Sequence, residues 1–206
     1  ATITLNRPDF YNAFNDEMSF EMQDALKEVK KNDEVRVVVL TGAGKAFCSG
    51  QDLKDISGKK RSVSDSLYKR YNPIIRSIRN LEKPVIGKIN GVAAGAGCSL
   101  ALACDYNIAS TKASFIEVFV NVGLVLDSGS SYFLAKSVPP QKAFEWATQA
   151  SKISADEALK YGLVNKVSEP EELDNEVKVI AEYYAKAPTK AIGMIKKMMN
   201  KAQYSS

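Results

Sequence analysis

The stretch "VIGKINGVAAGAGCSLALACD", residues 85–105, decides how this chain folds. It begins with an apolar run, passes through a turn of glycine and alanine, and continues into an alanine-rich apolar segment. This order is typical of a buried strand, a tight turn and a helix. Small residues in the turn let another backbone or a ligand approach closely, and free N–H groups at a helix start can bind an anion.

A similar arrangement precedes it in "VVVLTGAGKAFCSGQDL", residues 37–53. The β-branched run predicts a strand that is covered on both faces, and small residues again follow it. Tight packing between strand and helix explains each loop when it is taken alone, because glycine-rich turns serve many packing roles. Two such loops in one chain also suit a ligand-binding site, so both interpretations stay open at this point.

Strands and helices alternate through the rest of the front part. Residues 1–6 alternate like a strand, and residues 15–32 have the apolar spacing of a helix with Asn15 as its N-cap. Residues 66–81 predict a second helix, which Pro73 should kink. We expect a further strand at 102–110.

From Ser137 onward the pattern predicts helices. Ser154 and Glu157 form a capping box, and Gly162 and Pro188 are natural helix stops. The chain should therefore be an α/β protein with a strand-rich front and a helical tail. The methionine pair at 198–199 is better explained by packing than by a cofactor site.

Length and composition indicate one main folded domain. The chain has 206 residues, of which 45% are hydrophobic and 25% are charged. The net charge of +4 comes from scattered basic residues, which argues against nucleic acid as a partner. No apolar run is as long as a membrane span, and the first eight residues lack a signal-peptide pattern. We expect a soluble protein without a membrane partner.

The residue types present restrict the possible chemistry. The sequence contains no histidine, which excludes Ser-His-Asp triads, Cys-His pairs and imidazole acid-base catalysis. Its three cysteines, an odd number without a C-x-x-C pair, favour reduced thiols and a cytoplasmic location. A zinc site is not expected, and catalysis must rest on carboxylates, lysines, tyrosines or backbone amides.

A single carboxylate, Asp127, stands in "GLVLDSGSS", residues 123–131, at the end of an apolar run. Moving a carboxylate from water into apolar surroundings costs several kcal/mol unless the group is paired, hydrogen-bonded or protonated. Two interpretations follow: Asp127 is the N-cap of a helix that begins near Ser128, or it is a proton carrier.

Together these motifs resemble the crotonase (enoyl-CoA hydratase/isomerase) superfamily. The resemblance rests on "AFCSGQDL", "NGVAAGAGCSLALACD" and "GLVLDSGSS" in this order, and it extends over nearly the whole chain. It implies a crotonase-like superhelical spiral of strand-strand-helix turns with a helical C-terminal region. Residues 1–136 would form the spiral core with an acyl-CoA site, and residues 137–206 a helical trimerisation region. Homotrimers or dimers of trimers are expected.

The resemblance also implies a site for acyl-CoA thioesters. Two backbone N–H groups would form an oxyanion hole, and they fall on Gln51 and Ala96. Fixed donors of this kind stabilise an enolate oxygen without a metal or organic cofactor, so coenzyme A would enter only as part of the substrate. The positions expected to contact substrate are Ser49, Asp52, Leu53, Gly95, Ser99, Phe119 and Leu124.

Two glutamates that hydratases of the family use are replaced here. Ser99 and Phe119 stand at their positions, and neither is a strong general base at neutral pH. Hydration should therefore be weak. Glu117 lies two residues before Phe119, so its side chain would point the same way on a strand but not on a helix. We expect it to be a surface carboxylate, because most glutamates are exposed.

The stretch around Asp127 resembles the isomerase branch of the family, and most closely its phenylacetate-pathway members. The implied reactions are conversion of a ring-epoxidised phenylacetyl-CoA to an oxepin-CoA and migration of a double bond from position 3 to position 2. Asp127 would be the catalytic base and acid. Leu126 departs from the usual proline before the acid. A hydratase and a non-catalytic acyl-CoA-binding protein are the alternatives.

The segment 52–72 is shorter than in the family and would cover the acyl pocket. Its basic residues at 58–61 have two interpretations: a solvated turn, or a rim that approaches the phosphates of coenzyme A.

Overall fold

A computed structural model of the chain describes residues 1–56 and 62–204. Its strands are β1 (Thr2–Leu5), β2 (Val38–Gly42), β3 (Ala46–Cys48), β4 (Val85–Ile89), β5 (Val92–Ala94), β6 (Tyr106–Ser110), β7 (Ser114–Ile116), β8 (Ile153–Ser154) and β9 (Lys166–Ser168). Its α-helices are α1 (Asp16–Lys31), α2 (Leu53–Ile56), α3 (Val63–Ser66), α4 (Asn72–Asn80), α5 (Ala96–Leu102), α6 (Ser130–Ser137), α7 (Pro140–Gln149), α8 (Ala155–Lys160), α9 (Leu173–Lys186) and α10 (Thr189–Tyr204).

Five parallel strands form the larger sheet, in the order β1-β2-β4-β6-β9. One row of paired residues runs across it from Thr2 through Val39 and Ile86 to Tyr106. Every residue of β2 is buried, which confirms the prediction of a strand covered on both faces.

A second sheet has the order β3-β5-β7-β8 and is parallel except at its last pair. The chain contributes one strand to each sheet in turn: β2 then β3, β4 then β5, and β6 then β7. The spiral expected from the resemblance is therefore confirmed. The strands of the smaller sheet have only two or three residues each, which is too short to show a period of two. The sequence therefore did not distinguish them from the small-residue turns.

The helices cover both faces of the larger sheet. Helix α1 begins as predicted, because the side chain of Asn15 accepts a hydrogen bond from the backbone N–H of Met18 at 2.9 Å. On the other face, α9 places Leu173 and Val177 against residues of the sheet. Among the helices that the structure describes, none combines the length and the apolar character that crossing a bilayer requires.

The helix predicted at 66–81 contains a wider turn instead of a simple kink. Residues Leu67–Tyr71 form a π-helical turn between α3 and α4. Pro73 has no N–H with which to bond the carbonyl four residues earlier. That carbonyl belongs to Lys69, and the side chain of Gln23 donates to it at 2.9 Å. The π turn therefore accommodates the proline while α1 satisfies the freed acceptor.

The tail is not entirely helical, which corrects the prediction for residues after Ser137. Strand β8 pairs with β7, and β9 pairs with β6 at the edge of the larger sheet. Both strands are too short to show a period of two in the sequence. The helices that follow them end as predicted, with Gly162 at a φ of +80° just after α8 and α9 ending before Pro188.

Candidate active site

The first of the two predicted N–H donors belongs to Gln51, directly after β3. The N–H of Phe14 donates to Gly50 O at 2.7 Å, and the N–H of Asp52 donates to Phe14 O at 2.9 Å. In a parallel pair these bonds use the residues on either side of Gln51, so its own N–H points away from Phe14. The N–H of Gln51 is thereby left available for a ligand.

The second predicted donor belongs to Ala96, the first residue of α5. The first N–H groups of a helix have no acceptor within it, and that of Ala96 is one of them. The preceding Gly95 has a φ of +52°, and its N–H donates to Ile116 O at 2.9 Å. This turn anchors the start of α5 to β7 while the N–H of Ala96 stays uncommitted.

Two glycines bring these loops into direct backbone contact. A Cβ atom built on Gly50 would lie 2.8 Å from Ala94 O and 3.5 Å from Ala96 N. A Cβ atom built on Gly97 would lie 2.1 Å from Cys48 O. The contacts leave no room for larger residues, so the packing interpretation of the loops holds. The same contact brings Gly50, the residue before Gln51, close to the backbone nitrogen of Ala96, which is the kind of arrangement that an oxyanion hole needs.

Asp127 lies in a tight turn before α6. Ser128 and Gly129 both have positive φ angles, of 50° and 82°. The helix begins at Ser130 and its N-cap is Gly129, which forms no side-chain cap. The carboxylate of Asp127 instead accepts a hydrogen bond from the hydroxyl of its neighbour Ser128 at 2.8 Å. The N-cap interpretation of Asp127 is therefore wrong.

The backbone of Asp127 connects its turn to the start of α5. The hydroxyl of Ser99 lies 3.3 Å from each of two carbonyl oxygens, Gly95 O and Asp127 O, and can donate a hydrogen bond to either. Ser99 lies one helical turn after Ala96, so Asp127 is attached to the same end of α5 as the second N–H donor. The loops that carry Gln51 and Asp127 therefore both lie against the start of α5, where Ala96 is the first residue.

The surroundings of Asp127 change its acidity. Its side chain is half-buried, and burial raises the pKa of the carboxyl, while the hydrogen bond from Ser128 lowers it by less. The phenol of Tyr71 is another neighbour: burial raises its pKa, and the charges of Cys48 and Asp127 raise it further. An aspartate with a raised pKa can exchange a proton closer to neutral pH than an exposed one.

Ser99 and Phe119 are buried, and neither supplies a carboxylate to the site. The Ser99 hydroxyl is occupied by backbone carbonyls, and Phe119 lies beside Gly95. Glu117, which lies between β7 and Val118, differs from the expectation in its burial. Glu117 has 0% of its surface exposed, so the prediction of a surface carboxylate is wrong.

Glu117 is the functional candidate whose burial the sequence pattern missed. Its Oε1 atom accepts hydrogen bonds from the Ser130 hydroxyl at 2.5 Å and from the Cys98 thiol at 3.4 Å. The signal that could have found it is the alternation of Phe115, Glu117 and Phe119, all three of them buried. The strand itself ends at Ile116 and residues Val118–Val122 form a 3-10 helix, so the burial of Glu117 and Phe119 does not come from a continued strand.

The remaining predicted contact residues divide into two groups. Asp52 is committed to the protein: it accepts from Arg7 at 3.0 Å and from the N–H groups of Lys54 and Asp55. Burial raises its pKa, but these hydrogen bonds outweigh burial, and the pKa lies below the ordinary value. Leu53 and Leu124 are exposed and remain free to contact an acyl chain.

Ser49 is held at the rim of the same loop. Its N–H donates to Tyr11 O at 3.0 Å, and its hydroxyl lies 3.4 Å from Phe10 O. The basic residues at 58–61 fall outside the described residues. Within the described residues, no group of three or more His, Cys, Asp or Glu side chains could hold a metal ion.

Comparison with known proteins gives a consistent result. The family described as enoyl-CoA hydratase/isomerase matches residues 1–206. The chain is 39% identical to the 1,2-epoxyphenylacetyl-CoA isomerase of Escherichia coli, over 98% of this chain and 79% of that protein. It is 38% identical to the short-chain-enoyl-CoA hydratase of Clostridium acetobutylicum, over 98% and 77%. An enoyl-CoA hydratase structure from Bacillus anthracis superposes with a TM-score of 0.95 at 32% identity, over 100% and 80%.

Proposed function

This chain belongs to the enoyl-CoA hydratase/isomerase family, and from that premise we propose that it is an acyl-CoA isomerase. The proposed reactions are the conversion of a ring-epoxidised phenylacetyl-CoA to an oxepin-CoA and the shift of a 3-enoyl-CoA to a 2-enoyl-CoA. The observation that carries the proposal is Asp127, a half-buried carboxyl with a raised pKa on a turn that Ser99 attaches to the start of α5, where the N–H of Ala96 is uncommitted.

In the proposed mechanism the thioester carbonyl oxygen lies between the N–H groups of Gln51 and Ala96. Loss of a proton from the carbon next to the carbonyl creates an enolate, and these donors stabilise its oxygen. One donor of this kind is worth about 3 to 4 kcal/mol in other enzymes. No metal or organic cofactor is needed for that stabilisation, and coenzyme A takes part only as the carrier of the acyl group.

Asp127 moves the proton in the double-bond shift. Its carboxylate removes a proton from carbon 2 of the 3-enoyl group, and the electron pair left behind forms a dienolate. The same carboxyl then returns the proton to carbon 4, which leaves the double bond at position 2. Proton and electrons balance without any other reactant, so a single carboxyl suffices.

Hydration of a 2-enoyl-CoA needs a different arrangement, and we predict that it is slow. Ser99 and Phe119 offer no carboxylate to activate water, and each general acid or base is worth about 100-fold or more. Hydration, followed as the loss of enoyl absorbance, should therefore be at least about 100-fold slower than isomerisation of a 3-enoyl-CoA by the same preparation. Ser99→Glu should recover little of it, because a placed water is also required.

The assay separates the three candidate functions. Rapid hydration by the unmodified protein would overturn the proposal in favour of a hydratase. Binding of acyl-CoA without turnover of the 3-enoyl, 2-enoyl or ring-epoxide thioesters would assign a non-catalytic binding protein. Turnover of the 3-enoyl or the ring-epoxide thioester supports the isomerase and identifies its acyl group.

We also propose that residues 137–206 mediate assembly in multiples of three. Their helices α7, α9 and α10 leave large apolar side chains exposed, namely Phe144, Val179, Tyr183, Met194, Ile195, Met198 and Met199. Four of them, Met194, Ile195, Met198 and Met199, recur at helical spacing on α10 and form one stripe, and a contiguous exposed apolar stripe marks a protein interaction site. The three free and buried cysteines are consistent with the cytoplasmic location expected from the sequence.

Sedimentation tests this assembly. The unmodified protein should sediment as a trimer or hexamer, and Met198→Glu should shift it toward monomer, because a charge would enter a covered apolar face. Phe20→Glu, which changes another exposed apolar residue far along the chain on α1, is the matched control and should leave the assembly unchanged. A dilution-resistant monomer would contradict the proposal.

A further inference from the structure

Glu117 is a buried carboxyl for which the proposed reaction has no use. Its side chain is fully buried, and its Oε2 atom has no hydrogen-bond partner among the described residues. The groups that face it are the Cys98 thiol from α5, the Ser130 hydroxyl from α6 and the charge of Asp127 from the turn. None of these groups is a cation.

These surroundings favour the neutral form of Glu117. Burying an ionised carboxylate without a cation is costly, and the two hydrogen bonds it accepts compensate only in part. Burial raises the pKa of Glu117, the hydrogen bonds from Ser130 and Cys98 lower it by less, and the charge of Asp127 raises it further. Burial also raises the pKa of Cys98, so this neighbour stays a thiol.

Glu117 is linked through one residue to the turn that carries Asp127. The hydroxyl of Ser130 donates to Glu117, and the N–H of the same Ser130 donates to Asp127 O at 2.8 Å. Between them, Ser128 has a positive φ, which a residue with a side chain adopts only when its surroundings hold it there. Ser130 is therefore the fixed end of this turn.

We propose that Glu117 is a positioning residue: as a neutral carboxylic acid it fixes Ser130, and through Ser130 the turn that holds Asp127 toward the substrate. The orientation of Asp127 toward a substrate depends on the proposed function, whereas the link from Glu117 to the turn does not. The neutral form also avoids a second negative charge beside Asp127, which would oppose ionisation of the base.

Hydrogen exchange tests the link without any substrate. Ser130→Ala and Glu117→Leu each remove the hydrogen bond between the Ser130 hydroxyl and Glu117. The backbone amide of residue 130 should then exchange about tenfold faster. Glu117→Gln keeps a neutral acceptor for the Ser130 hydroxyl and should stay within about threefold of the unmodified protein. Ser130→Ala keeps the test valid if Glu117→Leu does not fold. Unchanged exchange in Ser130→Ala would overturn the link.

The pH dependence of stability tests the neutral form. A carboxyl whose pKa is raised by folding contributes stability below its unfolded pKa, and that contribution is lost as pH rises through the folded pKa. The unmodified protein should therefore lose stability relative to Glu117→Gln as pH rises above the ordinary glutamate pKa of about 4.3, measured by denaturant unfolding. The exposed Glu21→Gln is the matched control for removal of a carboxylate. A difference that stays constant with pH would overturn the neutral form.

Steady-state kinetics test the positioning role. Ser130→Ala should lower kcat about tenfold with KM nearly unchanged, and Glu117→Gln should keep kcat within about threefold. Faster exchange at residue 130 with an unchanged kcat would overturn the positioning of Asp127. If the unmodified protein turns over no acyl-CoA, the proposed function fails, and the exchange and stability measurements still decide the roles of Glu117.

Discussion

Asp127→Asn is expected to lower the isomerisation rate about 100-fold or more while acyl-CoA binding stays nearly unchanged. Asparagine keeps the shape of the side chain and can still accept the hydrogen bond from the Ser128 hydroxyl. It cannot take a proton from carbon. Measured kcat and an independent binding constant for a substrate analogue separate loss of the base from loss of the pocket.

The pH profile supplies a second readout for the same residue. The base must be ionised, so kcat/KM of the unmodified protein should fall as pH decreases through the raised pKa of Asp127. That acid limb should be absent from the residual activity of Asp127→Asn. Asp174→Asn, at an exposed position of α9, is the control and should keep full activity. Preserved turnover in Asp127→Asn would exclude it as the proton carrier, and equal loss of binding would make it a pocket residue.

Gly97→Ala is expected to have the other large effect. Its Cβ atom would lie 2.1 Å from Cys48 O and 2.7 Å from Cys48 C, both backbone atoms that cannot rotate away. The loops that carry Gln51 and Ala96 must then separate. We expect a loss of about 3 kcal/mol in the free energy of unfolding, and a fall of about 100-fold in kcat of the remaining folded protein.

The control for this substitution adds the same methyl group elsewhere. Gly162 has a φ of +80° but open space around its Cβ position. Gly162→Ala should cost about 1 to 2 kcal/mol of stability from the left-handed backbone alone and leave kcat unchanged. Denaturant unfolding and kcat measured on both variants make the comparison. Full activity in Gly97→Ala would mean that the contact between the loops does not shape the site.

The two small-residue loops of the proposed site could be located from the sequence because small residues allow close approach and helix starts expose N–H groups, whereas the choice of Gln51 and Ala96 as donors rested on the family resemblance. Both causes are local, and the structure shows both at Gly97 and Ala96. The raised pKa of Asp127 was also predictable, since it followed from an acid placed at the end of an apolar run. Its hydrogen-bond partner was not, because the choice between Ser128 and the helix start depends on backbone angles.

The burial of Glu117 was not predicted from the sequence. A glutamate is exposed in most proteins, and only its placement between Phe115 and Phe119 argued otherwise. Its burial depends on partners far along the chain, Cys98 and Ser130, which no local pattern connects. The π turn before Pro73 has the same origin, since a side chain of α1 satisfies the freed carbonyl.

The order of strands in the larger sheet has a consequence for synthesis of the chain. In this sheet β2, β4, β6 and β9 each lie beside the strand of the sheet that was made before, and no described strand is inserted between two earlier ones. A chain that emerges from the ribosome can therefore extend the sheet at its growing edge, in the order of translation. The edge of β6 stays unpaired until residues 166–168 arrive, so until then a nascent chain exposes one strand edge to wrong partners.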